Sequence, residues 1–306
     1  AEGFGDPSSP PWPFSLSRLS ARTSVIVEYD RFGEAPHIYV VRGSRKAVVI
    51  DTGCGTADLL AFLKTRPEYD GLDFQVINTH VHYDHIMGNH AFCSSGGSSL
   101  GPPCLGICQG ARDRSFSKRW QETSLQAMVK ADIQNFCVSD WLEEGQRIYL
   151  DDSATSEHEA LEVLYTPGHT PDSISLYLPA ENRLFTGDLL YPGSIYLFLP
   201  GSRLDEFEES IGKLQTFIAG KPEGMVLSCG HITPSLSADR VGEMHSLLAA
   251  MRGQGVRPRP ASIPWSREPL AAFESERRTF SLLCRRGDVK AQGSPPEGLR
   301  QEPARG

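Results

Sequence analysis

The chain has 306 residues, 39% of them hydrophobic and 22% charged, with a formal net charge of −8. That composition supplies enough apolar material for a sizeable soluble core. The acidic balance argues against a generic nucleic-acid binder, whose affinity rests on clustered lysine and arginine, and no run approaches the roughly 20 apolar residues that a membrane-spanning helix needs.

The charge is unevenly spread: residues 251–306 carry eleven Lys/Arg against six Asp/Glu. A solvated, flexible end is the plain reading of this basic region, and contact with an anionic ligand or a membrane surface is the alternative. Seven cysteines, an odd number in a long chain, favour free thiols in a reducing compartment. The start, AEGFGDPSSPPWPF, lacks the basic and apolar segments of a secretory signal. The expected location is the cytoplasm, with membrane association as the alternative.

In chain order, residues 1–20 are rich in Pro, Ser and Gly and predict a loose arm. β-branched and aromatic runs at 23–29, 37–43 and 46–51 predict strands. Helical spacing follows at 57–66, then a buried strand at 74–80 that ends in a histidine-rich loop. From Cys93 to Gly110 the composition predicts an irregular surface insertion. A helix is expected over 122–136, strands at 160–166, 173–178 and 183–187, a helix over 204–219, a strand at 225–229 and a helix over 237–251. This alternation predicts one α/β domain over 21–285, with helices covering both faces of the sheets and a disordered tail over 286–306.

The sharpest motif is Thr79-His80-Val81-His82-Tyr83-Asp84-His85, four potential metal ligands within six residues after the buried strand. Histidine and carboxylate both suit zinc. Alternation places His80 and His82 on one side of an extended segment, and a turn after His82 would aim Asp84 and His85 at a second ion. Three weaker elements share that design of strand, small residues and ligand. They are Pro167-Gly168-His169, Thr186-Gly187-Asp188 and Cys229-Gly230-His231.

HxHxDH, a distant histidine, a GD turn and a last GH, together with the upstream Asp51-Thr52-Gly53, resemble the metallo-β-lactamase-fold hydrolases over roughly residues 21–250. The resemblance implies an αββα sandwich whose site lies where loops of both sheets converge. It implies two zinc ions, the first held by His80, His82 and His169 and the second by Asp84, His85 and His231, with Asp188 bridging. Asp51 would orient the ligand loop. Cys229 stands where proline is common in that family.

The run from Gly187 to Arg203 is further similar to the metallo-β-lactamase domain-containing protein 2 group. That likeness implies hydrolysis of long-chain acyl-CoA thioesters, with β-lactam opening in some members. The segment 93–118 and the basic end depart from that group. The implied chemistry is attack on a carbonyl by a water activated between the zinc ions, with Asp84 orienting it and relaying its proton.

Other readings attach to single residues. Tyr191 either donates its hydroxyl to the oxyanion or packs under the sheet edge. Leu197-Phe198-Leu199 either lines an acyl channel or belongs to the core. His37, His158 and His245 read as structural or exposed, and His90 as support for the ligand loop. Cys104 and Cys108 lack the partner pair of a third metal site, and Cys54 and Cys93 offer a weak case for a cysteine nucleophile. The expected partner is a small thioester or lactam, not a nucleic acid. A glyoxalase II-like hydrolase or lactonase, a phosphodiesterase or nuclease, and a one-iron persulfide dioxygenase are the alternatives within the fold, and a metal-bound binding module is the alternative outside enzymes.

Overall fold

A computed structural model describes residues 12–93, 106–151, 157–253, 255–264 and 266–291. Seven strands form the first sheet in chain order: β1 (Phe14–Arg18), β2 (Thr23–Glu28), β3 (His37–Arg42), β4 (Lys46–Ile50), β5 (Asp73–Ile77), β6 (Ile107–Gly110) and β7 (Asp140–Leu142). The second sheet takes β8 (Arg147–Tyr149), β9 (Ala160–Tyr165), β10 (Ile174–Leu178) and β11 (Arg183–Gly187). The chain then leaves for β12 (Gly193–Leu197) and returns to the second sheet as β13 (Val226–Cys229) and β14 (Leu236–Ser237).

Period-2 alternation builds the layers. On β3 and β4, Tyr39, Val41, Val48 and Ile50 face the second sheet and meet Leu161, Val163, Ile174 and Leu176. Their neighbours Ile38, Val40, Ala47 and Val49 face outward, against Phe62 and Leu63 of helix α1 (Leu59–Lys64). The second sheet sends Leu164, Tyr177 and Leu184 outward, where Phe207, Ile211, Met244 and Leu248 cover them. The result is the expected αββα sandwich.

Strand direction places the site. β4 and β5 are parallel, as are β11 and β13, and β9 runs antiparallel to β10, which runs antiparallel to β11. The carboxyl ends of β4, β5, β9, β11 and β13 therefore open on one edge, and the segments bearing Asp51, His80, His169, Asp188 and His231 each follow one of those ends.

Several elements differ from the sequence reading. Part of the expected arm is strand β1, whose Phe14 packs on Phe62 at 5.0 Å, while residues 1–11 lie outside the described residues. The expected helix over 122–136 breaks. After α2 (Tyr83–Ile86) and α3 (Arg114–Lys118) come only the short α4 (Trp120–Thr123) and α5 (Gln126–Val129), because Leu125 and Lys130 take left-handed backbone at φ 66° and 55°. Packing decides this over propensity: Phe136 stacks on Trp120 at 5.2 Å. The expected insertion ends in the buried strand β6, while residues 94–105 lie outside the described residues.

Beyond α6 (Leu204–Ala219) and α7 (Val241–Arg252), the chain adds β15 (Arg259–Ala261), β16 (Leu270–Glu274) and β17 (Phe280–Arg285). With β12 they form a third sheet, ordered β12-β17-β16-β15, that the sequence reading missed. Its arginines engage carboxylates, Arg285 with Glu268 at 2.7 Å and Arg259 with Glu274, and Arg252 of α7 meets Glu208 at 2.6 Å. A last helix, α8 (Arg286–Ala291), opens the expected tail, whose residues 292–306 lie outside the described residues. Among the described residues no helix is long and apolar enough to cross a membrane.

Candidate metal centre

The seven predicted ligands meet in two adjacent buried groups. In the first, His82 Nδ1 lies 3.0 Å from His80 Nε2 and 3.0 Å from His169 Nε2. In the second, His231 Nε2 lies 3.2 Å from Asp84 Oδ2 and 3.4 Å from Asp188 Oδ1, and His85 Nε2 lies 3.4 Å from the same Asp188 oxygen. The other oxygen of Asp188, Oδ2, sits 3.6 Å from His169 Nε2. One carboxylate thus faces both groups.

Local sequence explains the convergence. His82 is extended (φ −65°, ψ 151°) and precedes the single helical turn of α2, which swings Asp84 and His85 toward the second group. Gly187 has φ +50° and packs against Thr79, where a Cβ would come within 2.7 Å of the Thr79 hydroxyl. At Gly230 a Cβ would come within 2.4 Å of Asp188 Oδ1. These glycines let the three ligand loops close on one another.

The outer nitrogens of His80, His85, His169 and His231 are held from behind, whereas the outer Nε2 of His82 is buried and has no hydrogen-bond partner among the described residues. His85 Nδ1 meets Asp51 Oδ2 at 2.8 Å, and Asp51 also accepts from the Thr79 amide at 2.7 Å and hydroxyl at 2.8 Å. The Thr79 hydroxyl lies 3.1 Å from His80 Nδ1. His169 Nδ1 donates to the Tyr196 carbonyl at 3.1 Å, and His231 Nδ1 to the Glu34 carbonyl at 3.0 Å. These contacts fix the tautomers that present Nε2 of His85, His169 and His231 inward. Asp51 has φ +63°, a conformation aspartate tolerates better than most residues.

The two groups differ in charge. Burial, then the neighbouring imidazoles, pushes His80 well below its ordinary range, and burial with His169 takes His82 down to about 3. Burial also lowers His169. In the second group, burial alone would depress His85 and His231. The carboxylates overturn it, Asp84 and then Asp188 around His85 and Asp188 above all around His231, and hold both imidazoles well above their ordinary range. Conversely, burial raises Asp84 and Asp188, but the cationic histidines hold both carboxyls well below the usual carboxylate range.

This donor set fits metal ions. His80 Nε2, His82 Nδ1 and His169 Nε2 face one another at hydrogen-bond distance, an arrangement of three nitrogen donors that a cation could occupy. His85 Nε2 and Asp188 Oδ1 are buried and, among the described residues, have no hydrogen-bond partner. Mixed imidazole and carboxylate donors suit zinc, and also manganese or iron.

A cavity of about 370 Å³ opens on both groups, with His82, Asp84, His169, Asp188 and His231 in its floor. Its walls are largely apolar, with Leu125, Met128, Val129, Tyr196, Leu199 and Ile232 among them. Tyr191 lines it too and sets its ring edge-on to His231 at 5.5 Å, but its hydroxyl donates to the Ser194 carbonyl at 3.1 Å rather than standing free for an oxyanion. Of the Leu197–Leu199 run, only Leu199 reaches the cavity, and Leu197 and Phe198 are core.

Cys229 is fully buried, and burial lifts its thiol to about 12. Cys54 and Cys108 are also buried free thiols with raised pKa, burial being the main cause. Cys93 is half-buried, and Cys104 lies outside the described residues. His90 holds the Met87 carbonyl at 3.0 Å and joins neither group. His158 and His245 stand outside both groups as well.

Sequence reasoning understated His37 and missed Glu34. His37 donates its amide to the Gly230 carbonyl at 2.8 Å and sets Nδ1 3.1 Å from the Cys229 carbonyl, which also accepts from the Tyr39 hydroxyl at 2.7 Å. Together they clamp the loop that carries His231. Burial takes His37 down to about 4. The only signal was a histidine heading an apolar strand. Glu34 acts on His231 through its backbone, which no side-chain motif announces.

Among curated proteins, avaE of Aspergillus versicolor, named as a transcription factor, is 28% identical over 253 residues, covering 74% of this chain and 72% of that protein. Acyl-coenzyme A thioesterase MBLAC2 of Gallus gallus is 30% identical over 200 residues (61% and 69%). A hydroxyacylglutathione hydrolase of Brucella anthropi is 28% identical over 195 residues (59% and 61%). Among solved structures, metallo-beta-lactamase IND-7 aligns with TM-score 0.58 at 16% identity over 77% of this chain and 98% of that one. The BLEG-1 B3 metallo-beta-lactamase aligns with TM-score 0.51 at 21% identity over 68% and 91%. The Metallo-beta-lactamase superfamily profile matches residues 31–231, which hold every residue of the two groups, and the chain belongs to that superfamily.

Proposed function

We propose that the protein is a dinuclear zinc hydrolase of carbonyl substrates, and that its substrate is a long-chain acyl-CoA thioester. His80, His82 and His169 would hold one ion, Asp84, His85 and His231 the other, with Asp188 shared. Zinc bound there would supply Lewis acidity and a water that is acidic near neutral pH. Asp84, ionised and facing the cavity, is the residue we assign to orient that water and take its proton. Asp51, Tyr196 and Glu34 hold the imidazoles in register.

The observation that carries the substrate reading is the cavity itself, a ligand-bearing floor under apolar walls that suit an acyl chain. The thioesterase and hydroxyacylglutathione hydrolase names among the relatives support thioester chemistry. The buried free thiols support a reducing, cytoplasmic setting.

A hydrolysis panel on zinc-loaded protein tests the reading, using palmitoyl-CoA, S-lactoylglutathione, a chromogenic cephalosporin and bis-p-nitrophenyl phosphate. Palmitoyl-CoA is expected to turn over fastest. S-lactoylglutathione in first place would move the reading to a glyoxalase II-like enzyme, and activity confined to the phosphodiester would overturn carbonyl chemistry. His82→Ala is expected to lose both turnover and bound zinc.

A further inference from the structure

The chain turns sharply just after the last ligand. The Thr233 amide donates to the His231 carbonyl at 2.7 Å, and Ile232 between them has φ +68°. A bond from residue i+2 back to residue i around a positive φ is the rare, strained form of γ-turn. Among the described residues seven non-glycine positions have positive φ, and Ile232 is the one whose side chain is β-branched, the type that tolerates such backbone least. Neighbouring contacts keep the turn from relaxing. The Gly230 carbonyl receives the His37 amide at 2.8 Å, His231 Nδ1 is held by the Glu34 carbonyl at 3.0 Å, and the Thr233 hydroxyl donates to the Ser235 carbonyl at 3.2 Å.

If the turn served only to aim His231, glycine would make it without strain. Isoleucine stands there instead, and its side chain is not buried: it is 70% exposed and lines the cavity over the two ligand groups. Met128 of α5 lines the same cavity and is 44% exposed. Of the four large hydrophobic residues that stand exposed among the described residues, these two border the cavity, whereas Tyr29 and Tyr149 do not. Apolar side chains exposed singly need no explanation. Two at one opening, one of them on strained backbone beside a ligand residue, imply a bound molecule that covers them. Strain of this kind persists where the surrounding fold over-determines it, and it collects at functional sites.

We propose that Ile232, with Met128, is a specificity-determining residue, an apolar lip that grips the hydrocarbon chain of the acyl group as it leaves the ligand-bearing floor. This deepens the thioester reading and rests on it. A chain lying against the isoleucine and the thioether removes apolar surface from water on both sides, whereas the single methyl group of an acetyl substrate offers little to cover them. Methionine, unbranched and polarizable, adapts to the chain that lies against it.

The test uses alkyl hydroxamates, which share one metal-binding head and differ in their tails. Zinc-loaded wild-type protein is expected to bind octanohydroxamate more tightly than acetohydroxamate by calorimetry, and Ile232→Gly should shrink that ratio by about fivefold or more. Ile232→Asn, also tolerant of positive φ, gives the same comparison should the glycine variant fold poorly, and Ile232→Val should keep most of the ratio. N-acetylcysteamine thioesters of octanoate and acetate should show the same loss in the ratio of their kcat/KM values. Glycine makes the turn freely, so metal-free Ile232→Gly should melt no lower than wild type. A wild-type hydroxamate ratio near one, or a ratio that survives both Ile232→Gly and Ile232→Asn, overturns the proposal. So does a much lower melting temperature beside an unchanged ratio, which would make Ile232 a support of the fold. Hydroxamate binding is read without turnover, so absent thioester hydrolysis would sink the reaction reading while the binding ratio still decides the role of Ile232.

Discussion

The two halves of the candidate metal centre touch through Asp188 yet are built on opposite electrostatics. The trio of His80, His82 and His169 is an imidazole site driven neutral, by burial first and by its own crowding second. The mixed group of Asp84, His85, Asp188 and His231 supplies its own counter-charges, carboxylates against imidazolium. The first group is ready to donate lone pairs at neutral pH. The second must give up protons before it can take a cation. Equal burial with unequal charge teaches that ligand identity alone does not describe a site, because the neighbours set its protonation.

The most severe way to break the comparison is to remove the shared residue. Asp188→Ala takes an oxygen from each group at once, so both ions should bind more weakly and kcat/KM should fall by about a thousandfold or more. Metal content by atomic emission, read beside the rate, checks this. A variant that keeps two ions and full turnover would strip Asp188 of its bridging role.

Acidity separates the halves next. His85 and His231 are held above their ordinary 6.5, so cation binding to the mixed group releases their protons. Its affinity should climb as pH rises above about 6.5, by up to about a hundredfold per pH unit where two protons leave. The histidine trio is already neutral there and should show little slope. For the metal-free fold the sign reverses: raised imidazolium pKa values stabilise it fully below about pH 6.5, and that help is lost as pH climbs through the raised values. Zinc titrations at pH 6.5 and 8 monitored by calorimetry decide the matter, and parallel slopes for both ions would contradict the charge assignment.

Legibility in the sequence followed the same division. Four of the seven ligands crowd into residues 80–85 because one strand end and one helical turn deliver them, so spacing alone exposed them. His169, Asp188 and His231 were legible through the small residues that let their loops close. The contacts that set protonation were harder to read. Asp51 entered only through family resemblance, and the carbonyls of Glu34, Tyr196 and Cys229 carry no side-chain signature at all. The helix-covered sheets were legible from the order of strands and helices along the chain, and their αββα stacking from the family resemblance. The third sheet was not, because its pairing of β12 with β17 joins segments that start 87 residues apart, Gly193 opposite Phe280, with two helices between. The helix over 122–136 failed for a related reason, since the left-handed turns at Leu125 and Lys130 answer to what Trp120 and Phe136 bury.

The mildest and most selective break is Asp51→Asn. Asparagine tolerates the positive φ of this position, so the backbone need not move. Its one carbonyl oxygen can still accept from the Thr79 amide, which leaves the amide NH₂ turned toward His85 Nδ1. Two N–H groups cannot face each other, so His85 must shift its proton to Nε2, the atom that points at the cation. The mixed group should then bind metal about 10–100-fold more weakly. The trio should keep its ion, because His82 and His169 owe nothing to Asp51 and His80 meets it only through the Thr79 hydroxyl. One ion per chain at moderate zinc, two at high zinc, is the expected stoichiometry. Loss of both ions together would mean that Asp51 holds the entire ligand loop in place, with no preference for the half it touches.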